Sequence, residues 1–180
     1  MLVEKLPGED PALDDCARRV TDPAVLVLRY ADLWLAVTEL RCRQAEQRLG
    51  RLAVLDLVGH GEAGALGVGN AQLSGDPQQQ RVLVQLLNPP ALIDARTVLR
   101  LLGCGVGVGG LAHELPLAAE GDGALLAVGL KRRLGCRVQV AMVGLDPSDY
   151  GARGFGNRAV LAEAVAAERI ALAPVNGPAR

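Results

Sequence analysis

Aromatic residues are almost missing from this chain: one Trp, two Tyr and one Phe make up 2% of its 180 residues. A core built without them has to come from Leu, Val and Ala, within a hydrophobic content of 50%. The same scarcity excludes a base-stacking platform, and a net charge of −1 supplies no basic field, so no nucleic-acid partner is expected. No apolar run approaches the roughly 20 residues of a membrane span, so no membrane partner is expected either. The opening "MLVEKLPGED" lacks the apolar stretch of a secretory signal. Four cysteines stand far apart with no CxxC spacing, so neither a metal nor a disulfide framework is expected. Nothing in the composition asks for a cofactor. Free thiols in a reducing cytoplasm are the expectation, and the Gly, Ala, Leu, Arg and Val bias goes with a bacterial source.

With 22% charged residues, the remainder is the composition of an ordinary globular domain. Residues 1–23, with three prolines and several acids, read as an irregular lead-in with at most one helical turn near Asp14–Arg19. Residues 24–180 read as a single domain. "AVLVLRY" has strand length and composition, and "ADLWLAVTELRCRQAEQRLG" follows with Leu33, Val37 and Leu40 at helical spacing, Asp32 as cap and Gly50 as stop. "RLAVLDLVGHG" is the second strand. Strand, helix, strand at this spacing is a βαβ unit with parallel strands.

"EAGALGVGN" reads as a glycine-rich hairpin arm and "RVLVQLL" as a strand or short helix. "TVLRLLGC" is a third strand and "CRVQVAMVGLD" a fourth. Helical material lies between them in "LAHELPLAAEGDG" and "ALLAVGLKRRLG", the latter stopped by Gly135. "NRAVLAEAVAAERIA" predicts a last helix capped by Asn157. The fold class is therefore α/β, a three-layer αβα sandwich with a mainly parallel central sheet. Ligands and chemistry collect at the carboxyl ends of the strands in such sheets. Gly59-His60-Gly61 and Gly103-Cys104-Gly105 both fall there.

The second of these opens "LLGCGVGVGG", in which Gly105, Gly107 and Gly110 satisfy G-x-G-x-x-G. The acid expected about 20 residues on at a strand end is missing, because Asp122 reads as part of a Gly-Asp-Gly turn and not as a strand end. A phosphate loop of the Gly-Lys-Ser/Thr kind is excluded, since that triplet occurs nowhere. The thiol offers other chemistry. A cysteine nucleophile needs a base, an environment that favours the thiolate, and donors for the developing oxyanion. Singly, His60 and Cys104 have bland readings, a structural histidine and a small core residue. Jointly, each at the end of a parallel strand and each followed by glycine, they point to catalysis. His113 reads as a surface or helix-end residue, and Cys16, Cys42 and Cys136 as inert.

The blocks "HGEAGALGVGN" and "RLLGCGVGVGG", followed by "LGCRVQVAMVGLD", carry a resemblance. An apolar block ending in His-Gly, then one ending in a small residue and Cys, resembles the caspase-like cysteine peptidases, the clan of caspases, gingipains, clostripain, legumain and separase. The likeness is nearest to bacterial CHAT-type proteases and to a caspase-like domain of large bacterial surface proteins, with patterns "HG..GAL.LG" and "LLGC..G.G". It covers roughly residues 24 to 150 and implies a caspase-hemoglobinase-like fold. It also implies His60 as general base or acid, Cys104 as nucleophile, and the backbone N–H groups of Gly61 and Cys104 as the oxyanion site.

In such peptidases the residue that selects the substrate side chain before the scissile bond (P1) lies in one of three places. These match Arg29 to Asp32, Leu102-Gly103, and Asp146 to Asp149; an acid there would select Arg or Lys, with Asp146 the first candidate and Asp32 the second. The stretch from Gly105 to the fourth strand, with Pro116 and Gly121-Asp122-Gly123, is longer than the pattern. The implied partner is a protein or peptide substrate, joined by an activating protein. Two alternatives stand beside the peptidase: a catalytically idle caspase-like assembly module, and a nucleotide-binding α/β domain.

Overall fold

The computed structural model describes residues 1–5, 10–46, 49–87, 92–108, 122–165 and 172–175. The element order is β1 (Leu2–Glu4), α1 (Pro11–Arg19), β2 (Leu28–Tyr30), α2 (Leu33–Ala45) and β3 (Val54–Val58). Three short strands follow, β4 (Gly61–Glu62), β5 (Ala65–Gly67) and β6 (Gln72–Ser74), then α3 (Pro77–Leu87) and β7 (Val98–Leu102). The chain continues through α4 (Asp122–Leu134), β8 (Arg137–Ala141), β9 (Tyr150–Gly151), β10 (Gly154–Phe155), β11 (Leu161–Ala164) and β12 (Leu172–Pro174).

Seven strands form the main sheet in the order β12-β11-β8-β7-β3-β1-β2. The five from β8 to β2 are parallel; β11 runs against them, and β12, antiparallel to β11, runs in their direction. Leu55 and Leu57 of β3, Leu99 and Leu101 of β7, and Val138 and Val140 of β8 face one side, against apolar residues of α2, α3 and α4. On the other side Val3, Val58, Leu102 and Ala141 pack against Leu13 and Cys16 of α1 and against Tyr150 and Phe155 of the β9–β10 hairpin. The chain is thus mixed α/β with a mainly parallel sheet. The predicted glycine-rich arm is the antiparallel sheet β4-β5-β6. Among the described residues, no helix is long and apolar enough to cross a membrane.

Two expectations are corrected. The lead-in is not irregular: β1 lies between β2 and β3 with Leu2 and Val3 wholly buried, and α1 starts at a capped Pro11. A strand of three residues is too short to show a period, and only its neighbours in the sheet define it. The last predicted helix is also absent over its described part, residues 157–165; residues 166–171 lie outside the described residues. Residues 161–164 pair antiparallel with β8, and Glu163 binds Arg137 at 2.6 and 2.9 Å and Gln139 at 2.8 Å across the pair. Cross-strand pairing overrides the helical preference of Leu, Ala and Glu here. Asn157 precedes a short 3-10 turn and makes no side-chain cap. The ambiguous "RVLVQLL" is helical, within α3, started by Asp76, whose carboxylate accepts from the Gln78 N–H at 2.8 Å. Gly135 is the expected helix stop, with φ +68 and its N–H on the Lys131 carbonyl. His113, Gly110, Pro116 and "LAHELPLAAEG" lie outside the described residues.

Candidate active site

β3 and β7 are adjacent and in register, Val58 opposite Leu102, so the residues that follow them emerge side by side. Those residues are Gly59-His60-Gly61 and Gly103-Cys104-Gly105. Glycine makes the approach feasible. A Cβ on Gly61 would stand 2.5 Å from the Cys104 nitrogen and 2.5 Å from the Gly103 carbonyl carbon. One on Gly103 would stand 2.9 Å from the Gly61 Cα. No larger residue lets the two backbones touch in this way. The His60 and Cys104 side chains, both exposed, line one small cleft of about 80 Å³.

A third group completes the constellation. Asp10 caps α1, its Oδ1 accepting from the Leu13 N–H at 3.2 Å, and its Oδ2 meets Nε2 of His60. A carboxylate only accepts, so Nε2 carries the proton and Nδ1 is left as the basic nitrogen. Desolvation opposes ionisation of Asp10. The hydrogen bonds from the His60 ring and the Leu13 backbone outweigh it and hold the carboxyl below its ordinary value.

The backbone of His60 is fixed from β1. Glu4, 1% exposed, accepts the His60 N–H on Oε2 at 3.0 Å and the Gly69 N–H on Oε1 at 2.8 Å. One buried carboxylate therefore ties the histidine turn to the β5–β6 connection. On the sulfur side, the Leu145 N–H donates to Cys104 Sγ at 3.4 Å. The first turn of α4 abuts the turn after Cys104, since a Cβ on Gly123 would lie 2.5 Å from the Val106 oxygen.

Sequence reasoning missed Asp10 and Glu4. Asp10-Pro11 is a readable helix start, acid at the cap and proline at the first position, and that signal places Asp10 at the end of a loop after a strand. Glu4 left no signal beyond an acid beside two apolar residues. The described glycines after Cys104, Gly105 and Gly107, do not form a phosphate cradle. The N–H groups of Gly105, Val106, Gly107 and Val108 are bonded to Val143, Gly103, Ala141 and Gly105 carbonyls. Gly107 instead provides space, its missing Cβ replaced by Val140 and Met142 side chains.

The two candidate specificity acids serve the backbone. Asp146 caps a 3-10 turn, accepting from the Ser148 N–H at 2.7 Å, and its own N–H donates to Asp149. The Ser148 hydrogen bonds hold its carboxyl below the ordinary range. Asp32 caps α2 through the Trp34 and Leu35 N–H groups. Leu145 and Pro147, the neighbours of Asp146, line the cleft; neither aspartate does. Arg29 pairs with Asp14. Among the described residues, no group of three or more His, Cys, Asp or Glu is arranged to hold a metal ion. No protein-family model matches the chain, and neither a curated protein nor a solved structure is significantly similar to it.

Proposed function

We propose that this chain is a caspase-like cysteine endopeptidase that cleaves a protein partner. One observation carries the proposal: the ends of adjacent parallel strands put a thiol and an imidazole on one cleft, and a carboxylate already orients the imidazole. Asp10 holds His60 in the tautomer with Nδ1 free for proton exchange with the thiol. Cys104 Sγ attacks the scissile carbonyl, forming a C–S bond, while the C–N bond breaks and His60 protonates the leaving amine. Water then hydrolyses the thioester, with His60 accepting its proton. The Leu145 N–H offers a donor to charge on sulfur. The touching Gly61 and Cys104 backbones support their assignment as the oxyanion site.

A peptidyl acyloxymethyl ketone tests this in the intact chain, with mass spectrometry locating the adduct. Burial pushes the Cys16 and Cys136 thiols up to about 11, so neither competes at neutral pH. Cys42, the other exposed thiol, is the internal reference. Cys104 should react far faster than Cys42, and His60→Ala should remove most of that advantage. Equal rates at the two thiols would refute the proposal.

A further inference from the structure

Beyond the His60 and Cys104 side chains themselves, the cleft beside Cys104 has a mainly apolar described lining. Its walls come from Leu13 and Cys16 of α1, Val58 and Leu102 at the strand ends, and Leu145 and Tyr150 after β8. Apart from His60 and Cys104, no ionisable side chain other than the Cys16 thiol and the Tyr150 hydroxyl lines it among the described residues, and both of these are buried. No carboxylate lines the cleft among the described residues, although the Asp146 charge is felt at Cys16. Asp10 is shared between His60 and the α1 cap, and Asp146 is turned to its own helical turn. The volume, about 80 Å³, matches roughly two to three waters at about 30 Å³ each. A side chain of three or four carbons fills that space. A lysine or arginine there would bury its charge with no carboxylate in the lining, and an aspartate would have to compete with Asp10 for His60.

We infer that this cleft is the P1 pocket and that it selects a small aliphatic side chain, of valine or leucine size, over basic and acidic ones. The inference rests on the peptidase proposal and deepens it. Placement supports it: the cleft is bounded on one side by the nucleophile and its histidine. A scissile carbonyl held at Cys104 Sγ therefore carries its adjoining side chain into this space. Apolar complementarity and the absence of a counter-charge act in the same direction.

The test uses acyloxymethyl ketones identical except at P1, with Val, Leu, Lys or Asp, and measures the rate of Cys104 modification in the intact chain. Val and Leu probes should react at least about 100-fold faster than Lys or Asp probes. Lys or Asp probes that react as fast, and still depend on His60, would overturn the pocket assignment and leave the peptidase standing. Failure of every probe to modify Cys104 in a His60-dependent way would overturn both.

A second variant secures the location. Ala12 lies on the cleft's lip, is exposed, and occupies the first turn of α1, where an acid suits the helix. Ala12→Glu should narrow the Leu-to-Lys ratio by about 10-fold or more. A ratio unchanged in folded Ala12→Glu would show that P1 does not bind here.

Discussion

Asp10 holds His60 with one carboxylate oxygen and the start of α1 with the other. Helix and imidazole are thus positioned by the same residue, and the removal of either function can be separated from the other.

Asp10→Asn keeps an acceptor for the Leu13 N–H but no longer enforces one imidazole tautomer. It should cost little stability, while the rate of Cys104 modification by a peptidyl probe falls by on the order of 100-fold. Asp10→Ala should lose about 1 kcal/mol as well, through the cap. The pH dependence has a definite sign. The Asp10 pKa is lowered on folding, so its contribution is full above the unfolded value, near 3.8, and is lost as pH falls through the folded value. The gap of about 1 kcal/mol between wild type and Asp10→Ala in denaturant melts should therefore be full at neutral pH and narrow only in acid below that value. A constant difference at every pH would contradict this role.

Glu4 makes a prediction on a different axis. Glu4→Ala leaves the His60 and Gly69 N–H groups without their acceptor in a buried site, a loss of about 1–3 kcal/mol for each unpaired group. Hydrogen exchange should show the deprotection at these two amides, together with slower probe labelling. Glu4→Gln retains one acceptor oxygen and should fall between the two.

Gly61 and Gly105 test two meanings of glycine. Gly61→Ala drives a methyl group into the Gly103–Cys104 peptide, which cannot move aside as a side chain can, so about 1–3 kcal/mol and most of the Cys104 reactivity should be lost. Gly105→Ala meets open space but sits at φ +66, so only the left-handed backbone penalty of about 1–2 kcal/mol applies. Thermal melts and probe labelling of both variants separate steric from conformational demand.

The sheet's second face contains a bidentate ion pair, Arg100 Nε to Asp56 Oδ1 at 2.5 Å and a second nitrogen to Oδ2 at 2.7 Å. The two residues are cross-strand partners in β3 and β7, and Arg100 also donates to the Phe155 carbonyl at 3.1 Å. Arg100→Met strands a buried carboxylate and should cost about 3–5 kcal/mol in denaturant melts. Adding Asp56→Leu should recover most of that loss, since the apolar pair removes both charges together.

The candidate nucleophile and base were legible because a short apolar run ending in Gly-His-Gly or Gly-Cys-Gly encodes both a buried strand and the open turn after it. Asp32 as a helix cap and Gly135 as a helix stop were legible for the same local reason: their roles depend on neighbours within four residues. β1 and β11 were not. Each is a few residues long, and its conformation is decided by the strands beside it.

The amino-acid sequence by itself determined the parallel strands β3, β7 and β8, the helices α2 and α4, and the placement of His60 and Cys104 at strand ends, since hydrophobic period and glycine position are local signals. Tertiary structure alone decided that β1 would insert beside β3, bringing Glu4 under the His60 backbone and Asp10 to its ring. It alone decided that the cleft would be walled by apolar residues of α1 and the post-β8 loop. Those contacts join segments separated by 50 residues or more, His60 to Asp10 and to Glu4 among them, and no local period records such a meeting.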